Sequence, residues 1–197
     1  MDLIWNGNRL LVPGGGLHIG WNDTPPQPSI PQVTIGTQTW MSKNLDVSIE
    51  GTTYPNTSIY NNDEATIPIY GRYYDGIQVP AINALYPGWH VPTKAEFLTL
   101  ISFLGATVGG GKLKATGTTY WNSPNAGATN EYGFNALAAS RWEYNWNQPL
   151  GQYAWFLSST YENSGYVVMY LTHDSAWVNT AGGFDGFTYS VRLIKNT

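Results

Sequence analysis

Only one stretch of this chain is both long enough and regular enough to be a helix. Thr93 and Glu96 form an S/T-x-x-E capping box behind Pro92, and Phe97, Leu98, Ile101 and Leu104 then recur at helical spacing until Gly105. The spacing predicts a helix over residues 94–104, with those four apolar side chains facing a core. Elsewhere, 22 glycines and 12 prolines in 197 residues cut the sequence into short pieces. The remainder must therefore be short strands joined by ordered turns. Near the end, Tyr189, Val191 and Leu193 alternate with Ser190, Arg192 and Ile194, which predicts a half-buried closing strand. Gly109-Gly110-Gly111-Lys112 is not a phosphate loop, because Ala106 stands where the first glycine is needed and Leu113 where Ser or Thr is needed.

Several classes of function are set aside by composition. There is no cysteine, so disulfides, thiolate nucleophiles and cysteine-based zinc or iron–sulfur sites are excluded. The net charge is −4 with no run of Lys or Arg, so neither nucleic acid nor an anionic membrane surface is an expected partner. No basic-then-apolar signal opens the chain, and no stretch approaches the roughly 18 apolar residues of a membrane span. The chain is expected to remain in the cytoplasm or to leave by another route, such as assembly into a virus particle, unless it is a trimmed piece of a secreted protein. Nine Trp and 14 Tyr are abundant for this length, and such side chains serve cores and ligand-stacking surfaces equally well.

Residues 1–31 read as an N-terminal attachment arm. Two short apolar runs, residues 3–5 and 9–12, flank Asn6-Gly7, the preferred pair for a type I′ hairpin turn. A Pro-rich linker, Asp23-Thr24-Pro25-Pro26-Gln27-Pro28, follows. So small a piece cannot bury Leu3, Ile4, Trp5, Leu10 and Leu11 by itself, so these residues are expected to bind a partner subunit in an assembly.

From Val33 onward a series of motifs runs in a recognisable order. It opens with Ile35-Gly36-Thr37-Gln38-Thr39-Trp40-Met41-Ser42-Lys43-Asn44-Leu45, followed by Tyr70-Gly71-Arg72-Tyr73-Tyr74 and Gly88-Trp89-His90-Val91-Pro92-Thr93 with Glu96-Phe97. Gly111-Lys112-Leu113-Lys114, Gly133-Phe134-Asn135-Ala136-Leu137, Trp155-Phe156-Leu157-Ser158-Ser159 and Tyr189-Ser190-Val191-Arg192 complete it. Together these resemble the Fibrobacter succinogenes major paralogous domain, over residues 32–197. The resemblance implies an α+β, C-type-lectin-like mixed fold, distantly like formylglycine-generating enzymes. That fold is β-rich with long ordered loops, its end strands paired and its loops at the opposite pole. Leu193 stands where the family often has cysteine.

Within that framework, Trp40, Trp89, His90, Trp155 and Arg192 are read as scaffold, with His90 capping or bonding backbone rather than binding a metal. Glycoside hydrolysis needs two carboxylates across a cleft, and Asp63, Glu64, Glu131, Glu143, Glu162, Asp174 and Asp185 show no pairing in sequence. Calcium lectins use Glu-Pro-Asn or Gln-Pro-Asp with Trp-Asn-Asp; here Gln148-Pro149 runs into Leu150, and Trp21-Asn22-Asp23 lies in the arm. No cofactor or metal is therefore expected, and no catalytic residue. Subtracting the scaffold leaves flat aromatics among amides: Trp142, Tyr144, Trp146, Tyr161, Trp177 and Asn179 are the expected ligand-binding residues. The expected function is a non-enzymatic binding or structural module. Its arm docks on other structural subunits, as in a bacteriophage head or tail fibre, with possible homo-oligomers, and its loops hold a glycan or host surface protein. The alternative is a carbohydrate-active enzyme or a cell-surface adhesin.

Overall fold

The computed structural model describes residues 30–49, 59–143 and 146–197, Trp146 by its backbone alone, together with the backbone of Ile4–Trp5 and Leu10–Leu11. By its contacts the chain divides into two units, Met1–Ile30 and Pro31–Thr197.

In the first unit, β1 (Ile4–Trp5) pairs antiparallel with β2 (Leu10–Leu11), Trp5 opposite Leu10. The expected Asn6-Gly7 turn lies outside the described residues. The side chains of Leu3, Ile4, Trp5, Leu10 and Leu11 lie outside them too.

The second unit is α+β. Its first hairpin, β3 (Gln32–Ile35) and β4 (Gln38–Met41), belongs to a four-stranded sheet completed by β5 (Trp89–His90) and the terminal β11 (Ile194–Lys195). The order is β3-β4-β11-β5, so the start and the end of this unit share one sheet. A second sheet has β9 (Gly165–Thr172) between β8 (Tyr153–Glu162) and β10 (Asn179–Gly182), all antiparallel. A small hairpin, β6 (Trp142–Glu143) with β7 (Trp146–Asn147), stands before β8.

The capping box sets the main helix as the sequence predicts. Helix α3 runs Lys94–Leu104; Thr93 Oγ1 accepts from the Glu96 amide at 3.2 Å, and Glu96 Oε2 accepts from the Thr93 amide at 2.7 Å. Gly105 ends it at φ 83°. The buried face is Phe97, Leu100, Ile101 and Leu104, while the expected core residue Leu98 is 46% exposed. Leu98 lies one residue beyond Phe97, about 100° around the helix, and leaves the inward stripe that Leu100 continues.

There are more helices than one. α1 (Ile67–Tyr70), α2 (Val79–Leu85) and α4 (Gly109–Leu113) are short; α1 and α2 begin with proline in the first turn, and α4 begins with three glycines. Pieces this short carry no readable periodicity and are held by packing. In α4 the glycines are required by contact: a Cβ on Gly110 would lie 2.0 Å from the Trp177 carbonyl oxygen, and one on Gly111 2.1 Å from that of Gly127.

The closing segment departs from its expected half-buried period. Tyr189, Ser190, Val191, Arg192, Leu193 and Ile194 are all buried, and only the last belongs to a regular strand. The segment is threaded between the two sheets. Tyr189 bridges Tyr74, Ser190 bridges Phe156, the carbonyls of Val191 and Leu193 accept from Leu45 and Met41, and Ile194 pairs with both Trp40 and His90. Covered on both sides, it has no solvent face to alternate toward.

The core gathers around Trp40, which stacks on Phe97 at 5.8 Å and meets Phe134 edge-on at 6.2 Å. Ala154, Phe156, Met169 and Leu171 supply its floor from the second sheet, with Val178 from the loop before β10.

Candidate ligand-binding face

Strand periodicity divides the second sheet into two faces. Ala154 and Phe156 on β8 and Met169 and Leu171 on β9 point inward, so Tyr153, Trp155, Tyr170 and Thr172 take the outward side and are half-buried. In the antiparallel register Trp155 lies opposite Tyr170, and Tyr170 opposite Asn179. One row therefore crosses three strands as Trp, Tyr, Asn. The rings of Trp155 and Tyr170 stack at 4.9 Å, with Tyr153 on the other flank of Trp155 at 5.7 Å.

Residues 141–143 and 146–148 edge this row. The Arg141 guanidinium lies 4.3 Å from the Trp155 ring centre and 4.9 Å from that of Phe187. Its Nε donates to Glu143 Oε2 at 2.8 Å, and Nη2 meets the same oxygen. Trp155 Nε1 donates to Gln148 Oε1 at 3.0 Å. Ser140 bridges Ala154, anchoring the segment to β8.

At the other edge, Lys114 fixes the loop that leads into β10. Its buried Nζ donates to the carbonyls of Thr172 at 2.9 Å and Ser175 at 2.8 Å and lies over Trp121 at 5.2 Å. Burial pushes the Lys114 pKa down to about 8, an opposing pull coming from Asp174. Asp174 itself is held below the usual carboxylate range, first by the hydroxyl of Thr172 at 2.7 Å. Val178 then turns inward while its neighbours Trp177, 63% exposed, and Asn179 remain at the surface.

Of the expected ligand-binding residues, Asn179 joins the Trp155–Tyr170 row and Trp177 lies two residues before it. Trp142 is half-buried, on the segment that edges the row, and bridges Thr188. Tyr144 and the Trp146 side chain lie outside the described residues. Tyr161 stands apart. It follows Trp155 by six residues, about 20 Å of strand, beyond an irregularity in the β8–β9 ladder. There it packs edge-on against Tyr166 at 5.1 Å and donates to Asp185 at 3.1 Å. Its neighbour Thr160 caps the Lys94 amide at the start of α3. Tyr153, Tyr170 and Arg141, which share this face, are not among the expected residues, and Trp155, expected as scaffold, stands among them; the sequence signal for the face is the i, i+2 pair of Tyr153 and Trp155 on a long strand.

Trp40 and Arg192 are scaffold in the strict sense, both fully buried. Arg192 donates to Asn44 Oδ1 at 2.6 Å and to the carbonyls of Met41, Phe134 and Asn135. Burial alone pushes its pKa down to about 9. His90 bonds side chains rather than backbone: Nε2 meets the Glu96 carboxylate at 2.8 Å, and Nδ1 lies 2.6 Å from Asn196 Oδ1. Among the described residues, no group of three or more His, Asp or Glu side chains is gathered to hold a metal ion. Nor is any helix among them long and apolar enough to cross a membrane.

The model of the Fibrobacter succinogenes major domain matches residues 33–195, the span that holds the second sheet, its outward row and nearly all of the first sheet. The chain belongs to this family. No curated protein and no solved structure matches it. In family terms, the Trp155-Phe156 motif has two destinations: Phe156 enters the core against Phe134 at 5.7 Å, while Trp155 faces outward.

Proposed function

We propose that residues 32–197 form a non-enzymatic binding module of C-type-lectin-like architecture that holds a glycan on the outward face of the second sheet. The observation that carries this is the registered row of Trp155, Tyr170 and Asn179, with Gln148 at its edge. Flat aromatic rings complement the apolar faces of sugars, and amides complement their hydroxyls. The lectin-like reading is supported by the sheet shared between β3, β4 and β11, which joins the two ends of the unit. Residues 1–31 serve as the arm that fastens the module to other structural subunits, and a virion is the setting that best suits an apolar arm joined to a compact binding domain.

Purified protein applied to immobilised oligosaccharides tests the reading. Saturable binding without cleavage of the bound sugar is expected, lost in the folded double variant W155A/Y170A. Undiminished binding by that variant, or release of sugar products, overturns it.

A further inference from the structure

We infer that the ligand of this face is an uncharged sugar, a class named here on the strength of the glycan-binding reading above. The charged groups of the face are engaged with one another. Arg141 lies against the rings of Trp155 and Phe187, and its Nε and Nη2 both meet a single oxygen of Glu143. The two side chains are 15% and 14% exposed, so the pair is compensated in place, away from most of the solvent. An incoming carboxylate or sulfate would find at Trp155 only a cation already neutralised by Glu143. The Glu143 carboxylate offsets whatever attraction the Arg141 guanidinium exerts. Asp174, ionised and bonded to Thr172 next along β9 on the same face, adds a second negative charge.

Apart from the Arg141–Glu143 pair, the groups with spare capacity are neutral. Among the described residues, the hydroxyls of Tyr153 and Tyr170, Nδ2 of Asn179 and Nε2 of Gln148 have no hydrogen-bond partner, while Gln148 Oε1 is taken by Trp155 and Asn179 Oδ1 by the Thr180 amide. The face thus offers the parts of its aromatic rings that Arg141 and the Tyr153–Trp155–Tyr170 stack leave uncovered, together with uncharged donors, the complement of a hydroxylated ring without charge.

The experiment compares neutral oligosaccharides ending in galactose, mannose or N-acetylglucosamine with the same chains carrying terminal sialic acid or sulfate. The neutral forms are expected to bind about tenfold or more tightly than their acidic counterparts, the scale of one close like-charge contact. Their binding should change little between low and high salt. Glu143→Gln, which releases the Arg141 charge, should narrow the gap by strengthening the acidic forms. Equal or tighter binding of the acidic forms to the unaltered protein overturns the inference and leaves the glycan-binding reading standing. If no sugar of either kind binds, the reading itself fails and the inference falls with it.

Discussion

Trp155 on β8 and Tyr170 on β9 face each other across the ladder, their ring centres 4.9 Å apart and their planes inclined by 30°. On the opposite side of these strands Ala154, Phe156, Met169 and Leu171 form the core floor. Both rings are half-buried, and the next pair on their own side, Leu157 and Val168, is fully buried, so the row lies at the end of the ladder nearest Tyr153 and Thr172.

Replacing Trp155 by Ala should cost about 1–3 kcal/mol of sugar binding with a smaller loss of stability. Replacing Phe156, one residue along and turned inward, should cost about 3–5 kcal/mol of stability. Calorimetric titration and urea unfolding of the two variants side by side separate the roles; similar stability losses at both positions would contradict the assignment of faces.

Arg192 is a buried cation whose described partners are uncharged: Asn44 and the carbonyls of Met41, Phe134 and Asn135. Removing it strands several buried acceptors at once, so Arg192→Leu should lose at least about 3 kcal/mol. Arg192→Lys should recover only part of this, since one ammonium cannot reproduce the planar fork. Urea midpoints decide, and a fully stable lysine variant would sink the argument.

Alkaline pH should act on stability with two opposite signs. The folded Lys114 loses its proton near pH 8 and the unfolded one near 10.5, so across that window the unfolded chain binds more protons and stability rises with pH. Tyr73 and Tyr74 go the other way. Burial raises both above the ordinary 10.0, so the unfolded chain releases their protons first and stability falls beyond about pH 10. Melting temperature followed from neutral to strongly alkaline buffer should rise and then turn over. Lys114→Met should remove the rise between about pH 8 and 9, below the range in which Arg192, lowered to about 9, adds a rise of its own, while keeping the fall; a variant that still rises between pH 8 and 9 would point to another group.

Deleting residues 1–28 should leave the melting transition of the remaining chain nearly unchanged, because the division between units falls at Ile30 and Pro31. Size-exclusion chromatography of both forms should show any assembly disappearing with the arm. Unfolding of the shortened chain would place part of the arm within the domain core.

Local signals were legible along the chain. The Thr93–Glu96 box set helix α3 to the residue, and the ordered motifs from Ile35 to Arg192 identified the family before any contact was known. Capping and turn chemistry are decided within a few residues, and the sequence carries them whole. What the sequence could not decide was which side of an element faces inward. Tyr153-Ala154-Trp155-Phe156 is apolar at every position, so its alternation fits either orientation; only packing against Met169, Leu171 and Phe134 turns Phe156 in and Trp155 out. Likewise the family framework marks Arg192 as scaffold without saying what it holds. Arg192 is buried because segments around Asn44, Phe134 and Asn135, remote in sequence, converge their acceptors on it. Spacing along a chain records what neighbours do to each other, whereas burial and convergence depend on residues that meet only when the two sheets close over the final segment.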